Sequence, residues 1–174
     1  RVLREGDTFV FDVEAGYYSG GPAADMPLAR ISTMLTGLPL QTAYPRYADY
    51  TFVDVWASGG RGGVALKPCT TPVRTDADGK ARIALPVAFP SGDSTAVEPP
   101  AFGTLQAMVE AKPSEREGTV SNAAKVRYAR HARYVGLRSE PRWWDAKTPL
   151  QLQAVVIDAE GNEMAGAPVE VQVD

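Results

Sequence analysis

The 174-residue chain has a single cysteine, Cys69, and a single histidine, His131. One cysteine excludes an internal disulfide and any cysteine-based metal cage, while leaving the redox compartment open. One histidine means that any Ser-His-Asp or Cys-His mechanism would have to run through His131, and it denies a metal a second imidazole. No apolar run approaches the roughly 20 residues that a bilayer-spanning helix needs. The first residues lack the basic, apolar, small-residue succession of a signal peptide, so any export signal or anchor is expected upstream of Arg1. Positive charge is not in excess either: 18 Lys and Arg against 21 Asp and Glu leave a net charge of -3, which argues against a general nucleic-acid binder. No segment carries a sustained helical stripe. What is plentiful is glycine (16) and proline (14), scattered between short extended runs in a chain that is 44% hydrophobic. That is the spacing expected of an all-β sandwich with a proper core.

Residues Thr8 to Ala15 alternate Phe9, Phe11, Val13 and Ala15 against Thr8, Val10, Asp12 and Glu14, which puts one apolar row on one face of a strand. Ser19-Gly20-Gly21-Pro22 then turns the chain, and residues 27–36 are expected to return as the partner strand of a hairpin. The plan recurs from Thr148: an extended run, a turn at Glu160-Gly161, then Pro168 opening a second extended run. The copies lie about 140 residues apart (Thr8 to Thr148, Pro27 to Pro168), a spacing of tandem domains rather than of a solenoid. Between them, Tyr47 to Ala57 is expected to be the clearest strand, rich in aromatic and β-branched residues. Gly59 to Gly63 reads as a flexible loop, Thr75 to Lys80 as a hairpin turn carrying Asp78-Gly79, 88–103 as a long surface loop, and Thr104–Ala111 and Thr119–Tyr128 as two further strands. Arg130-His131-Ala132 marks a junction. The expectation is one near-complete sandwich domain over 1–131 and the first part of a second over 132–174, together a piece of a longer protein.

At the paired turns and the junction the chain resembles the bacterial alpha-2-macroglobulin family. The residues that carry this are Val13 to Ala23, Asp78 to Pro86, Tyr134 to Arg138, Val155 to Gly161 and Gly166 to Val169, in the order that consecutive macroglobulin-like domains use them. The resemblance implies immunoglobulin-like β-sandwiches that form the rigid body of a large protease trap, placed in the periplasm, with a lipid anchor on the parent chain as one means of holding it at the inner membrane, or at the cell surface. In such a trap a bait segment is cut, the body closes on the protease, and in many members a thioester links the two. The thioester pattern is Cys-x-Glu-Gln, whereas Cys69 is followed by Thr70, Thr71 and Pro72. No bait segment is identifiable, so the resemblance implies scaffold, with neighbouring macroglobulin-like domains as its partners and proteases engaged only through the parent.

Each isolated candidate reduces to structure. Cys69 and His131 have no partners that would make a nucleophile or a ligand set. Ser19 fails the Gly-x-Ser-x-Gly spacing of a nucleophile elbow, and Gly59 to Gly63 lacks the Gly-Lys-Ser/Thr end of a phosphate loop. Asp76, Asp78 and Gly79 echo a calcium loop without its later ligands. The basic set Lys125, Arg127, Arg130, Arg133, Arg138 and Arg142 reads as a solvated or salt-bridged face between domains. Trp143 and Trp144 point to opposite sides of any strand, one to a core and one to a neighbour. No catalytic, cofactor-binding or metal residue is therefore expected, and no enzyme activity. The alternative is an immunoglobulin-like tandem of a surface adhesin or carbohydrate-binding protein, with Trp143 or Trp144 and loop 88–103 as its surface. An unpaired sheet edge on the partial second domain would favour a dimer.

Overall fold

A computed structural model of the chain describes residues 1–52, 63–90, 98–111, 119–140, 149 and 151–170. Ten strands run through them: β1 (Val2–Leu3), β2 (Thr8–Glu14), β3 (Pro27–Gly37), β4 (Val64–Ala65), β5 (Val73–Arg74), β6 (Lys80–Pro86), β7 (Phe102–Ala111), β8 (Val120–Ala129), β9 (Arg133–Glu140) and β10 (Gln151–Asp158). The larger sheet has the order β1-β8-β7-β3-β4, with β5 also on β3, and the β2–β6 pair forms the layer facing it. Alternation supplies the core: in β6, Ala81, Ile83 and Leu85 are buried while the residues between them face water. They meet Phe9 from β2, and Leu35, Leu105, Ala107 and Val109 from the opposite sheet. Leu35 and Leu105 are cross-strand partners with no exposed surface, so truncating either to alanine costs about 2–5 kcal/mol. The architecture is an immunoglobulin-like, all-β sandwich.

The strand expected to return from β2 does not pair with it. β2 pairs with β6, whereas β3 pairs with β7, β5 and β4 in the other sheet. The turn itself closes, with a bridge between Gly16 and Pro22 and the Ala23 N–H donating to the Ala15 carbonyl at 2.9 Å. Immediately beyond it Asp25 takes φ 54°, the one positive φ outside glycine among the described residues. Arg74 holds that kink, its Nε 2.5 Å from Asp25 Oδ1 and its Nη2 3.0 Å from Oδ2. Buried Thr75 locks the same step: its hydroxyl donates to the Ala23 carbonyl (2.6 Å) and accepts from the Met26 N–H (2.8 Å). The chain thus leaves one sheet and enters the other. The Asp78-Gly79 turn behaves alike, joining β5 in the large sheet to β6 in the small one.

Tyr47 to Ala57 is not a strand where it is described. Helix α1 (Leu40–Ala43) is followed by a 3-10 turn at Pro45–Tyr47, with proline fixing φ at its start; residues 53–62 lie outside the described residues. The run expected after Pro168 forms no strand over 167–170, and 171–174 lie outside the described residues. Gly59 to Gly62, Arg142, Trp143 and Trp144 also lie outside the described residues.

The repeat, in contrast, is real at the level of hydrogen bonds. The Gly16–Pro22 bridge recurs as Ile157–Glu163, an offset of 141 residues. Tyr17 N–H to Gly21 O recurs as Asp158 N–H to Asn162 O, Gly20 N–H to Tyr17 O as Gly161 N–H to Asp158 O, and Ala23 N–H to Ala15 O as Met164 N–H to Val156 O. Asp76 to Lys80 makes a third copy, with Asp76 N–H to Lys80 O and Gly79 N–H to Asp76 O. Each is a tight turn closed by a glycine with positive φ: Gly20 at 94°, Gly79 at 74° and Gly161 at 85°.

Candidate functional site

A second buried cluster lies outside the sandwich core. It gathers Leu40 and Tyr47 from the α1 connector, Phe102 and Ala129 from β7 and β8, and Tyr134, Ile157 and Ala159 from the β9–β10 ribbon. Aromatic side chains make up the contact: Tyr47 and Phe52 meet edge-on at 5.9 Å, and so do Phe102 and Tyr134 at 5.8 Å, the arrangement that ring quadrupoles favour. Sequence reasoning assigned Tyr47, Tyr50 and Phe52 to a strand. In the structure Pro39 and Pro45 break the chain into two short turns that present Tyr44 and Tyr47 on one side.

The connector grips the turn of the second repeat copy. Tyr44 OH donates to the Ala159 carbonyl at 2.8 Å. Tyr47 OH donates to the Gly161 carbonyl at 3.0 Å, as does the Arg46 guanidinium, which also stacks 4.7 Å from the Tyr47 ring centre. Thr51 and Leu137 exchange two backbone bonds of 2.8 and 2.9 Å, so the connector also adds to the outer edge of β9. Two glycines make the approach possible. A Cβ on Gly136 would stand 2.6 Å from Phe52 Cε1, and one on Gly161 would stand 2.6 Å from Tyr44 Cδ1. Gly136 in the middle of a strand was the readable sign of a close approach. Burial pushes the Tyr44 and Tyr47 hydroxyls above their ordinary value, because each phenol is better solvated as an anion in water than at the junction.

Part of the basic stretch lies in this junction. Arg127 stacks over Tyr44 and Phe102 at 5.6 and 5.5 Å, and Arg138 lies 5.8 Å from the Tyr50 ring while pairing with Glu140 at 2.8 Å and Asp49 at 3.9 Å. Arg130 pairs with Glu98 outside it, and Lys125 and Arg133 are exposed. His131 is exposed, its backbone N–H donating to Tyr134 OH at 3.2 Å. Cys69 is half-buried against the sandwich core, 3.7 Å from the Thr71 carbonyl. The Asp76 carboxylate accepts from the backbone N–H groups of Asp78 and Lys80 at 2.9 and 2.8 Å, bracing its own turn. Among the described residues no three side chains are grouped to hold a metal, and no helix is long and apolar enough to cross a membrane. Tyr17 and Tyr18 are exposed at 49% and 110%.

The ribbon has a contrasting outer face. Ile157 and Tyr134 point to the connector, while Val135, Leu137 and Leu152 are 44%, 41% and 43% exposed on the other side. By the 141-residue offset, Leu152 stands where Phe11 faces the sandwich core. By the repeat, the bare face thus corresponds to the side of β2 that faces the sandwich core.

Comparison with solved structures gives three matches, all Escherichia coli alpha-2-macroglobulin. The trypsin-activated crystal structure aligns at 19% identity with a TM-score of 0.51 over 92% of this chain. The native conformation seen by cryo-electron microscopy aligns at 18% and 0.52 over 94%, and the form activated by porcine elastase at 20% and 0.53 over 92%. The chain spans only 11%, 10% and 13% of those proteins, respectively. No family model and no curated protein matches it. The chain has the fold of bacterial macroglobulin domains, from the first sandwich through the ribbon.

Proposed function

We propose that this chain is scaffold from a bacterial alpha-2-macroglobulin-like protease trap, with no catalytic or covalent chemistry of its own. Residues 1–131 form one macroglobulin-like domain and 132–174 open the next. The observation that carries this reading is the 141-residue repeat, matched bond for bond, with its second copy docked on the first through the α1 connector. Such a contact fixes the angle between successive sandwiches, which a body that closes around a protease requires. Thr51 and Leu137, the Gly161 turn and the stacked Arg46 are engaged in that docking, and Cys69 and His131 lie in different surroundings. We place the parent in the periplasm, where a lipid anchor would hold it at the inner membrane.

The test compares the isolated chain with its parent. The isolated chain should leave trypsin fully active on a protein substrate and on a small chromogenic peptide. The parent should block the protein substrate while sparing the small peptide, the pattern of a protease enclosed rather than poisoned. A parent without effect on either would refute the reading. Binding to peptidoglycan or a glycan array that disappears with Trp144→Ala would favour the adhesin-type tandem instead.

A further inference from the structure

The four methionines of the chain stand in different surroundings. Met26 is buried beside the Thr75 hydroxyl, whereas Met34 and Met108 are 51% and 36% exposed. These two share the outer face of the large sheet, because the residues that alternate with them, Leu35, Leu105, Ala107 and Val109, fill the core. Small cross-strand partners, Ala65 beside Met34 and Ser32 and Ala123 beside Met108, keep that face low around the thioethers.

Met34 also has a seat. A Cβ on Gly63 would stand 2.5 Å from Met34 Sδ and 2.7 Å from its Cγ. Gly63 is not among the glycines with positive φ, so its backbone conformation does not call for glycine. The close approach of the thioether does. With Cγ and Sδ both resting on Gly63, one side of the thioether is covered and the other faces solvent. A thioether sulfur carries its two lone pairs on opposite sides of the C–S–C plane, and oxidation at one or the other gives one or the other sulfoxide epimer.

We propose that Met34 is a reversible oxidation site, that its oxidant is a peroxide, and that its sulfoxide forms mainly with one configuration at sulfur. The open lone pair of Sδ attacks a peroxide oxygen. An S–O bond forms, the O–O bond breaks, and the departing hydroxide takes up the proton of the transferred oxygen, so thioether and hydrogen peroxide become sulfoxide and water. A methionine sulfoxide reductase of the matching stereospecificity reverses the step, oxidising two thiols to a disulfide and releasing water. None of this rests on the protease-trap reading, since it depends only on the outer face of the large sheet.

The test treats the folded chain with hydrogen peroxide and then digests it with trypsin, which cuts after Arg30 and Arg46 and so separates Met34 from the other methionines. The 31–46 peptide is weighed by mass spectrometry after exposure to each of the two stereospecific reductases. Met34 should oxidise ahead of Met26, and one reductase should remove its added oxygen in excess of the other by about 5-fold or more. Oxidised in urea, the same chain should give the two epimers in nearly equal amounts. Gly63→Ala, which drives the side chain off its seat, should abolish the excess in the folded protein. Equal epimers from the folded chain, or oxidation of Met34 no faster than that of Met26, would overturn the proposal. So would an excess that persists in urea or in Gly63→Ala.

Discussion

Alanine at Gly161 and at Gly20 gives a paired measurement of the junction, because the two positions share one turn and differ in what surrounds it. Both have positive φ, 85° and 94°, so alanine at either takes on the left-handed penalty of about 1–2 kcal/mol. At Gly20 a Cβ meets nothing within 4 Å, and Gly20→Ala should cost no more than that. At Gly161 it meets Tyr44 Cδ1, Cε1 and Cγ at 2.6, 2.7 and 2.8 Å, so the ring must shift and its hydroxyl must leave the Ala159 carbonyl. Overpacking of this kind adds about 1–3 kcal/mol. Native-state hydrogen exchange separates the two, since the added cost falls on the docking of β9 and β10. Their amides should exchange about 5- to 150-fold faster in Gly161→Ala than in Gly20→Ala. Equal exchange in the two variants would show that the turn merely rests against the connector, and would refute the argument that this contact fixes the ribbon.

Tyr47→Phe removes the hydroxyl that donates to Gly161 O and should weaken ribbon docking by about 0.5–1.5 kcal/mol, read from the same amides. The Tyr44 and Tyr47 hydroxyls titrate above their ordinary value because they are buried. Their contribution is therefore complete below pH about 10 and lost as pH rises through the folded values; absorbance at the phenolate band should rise together with loss of β9–β10 protection, and phenolate formation with the ribbon still protected would contradict this. Burial alone would raise the Asp158 carboxyl, but the N–H groups of Asn162 and Glu160 outweigh it and lower it. That contribution is present above pH about 4 and lost as pH falls further, so Asp158→Asn should flatten the acid limb of ribbon stability. Tyr17 occupies the turn position that Asp76 and Asp158 hold in the other copies; Tyr17→Asp should supply the missing acceptor for the turn amides and raise the urea midpoint, by an amount equivalent to about 0.5–1.5 kcal/mol.

The layered β architecture was legible because alternation is a local property. Ala81, Ile83 and Leu85 face the core in a pattern any reader of residues 80–86 would find. Sheet membership was not legible, since a tight turn reads the same whether its flanking strands pair or part. What separates β2 from β3 is Asp25, held in its kink by Arg74 and Thr75, both about 50 residues away in the chain. The aromatic connector failed for a related reason: Tyr47, Tyr50 and Phe52 satisfy β propensity, and only contacts with Gly136 and Gly161 explain why they serve a junction instead.

By itself the sequence determined the repeat and the positions of its glycine turns and prolines, because each depends on residue identity and short-range backbone preference. Tertiary structure alone decided which sheet each strand joined and that the second copy docks through Tyr44, Arg46 and Tyr47. Those outcomes depend on hydrogen bonds and packing between residues that no local pattern brings together.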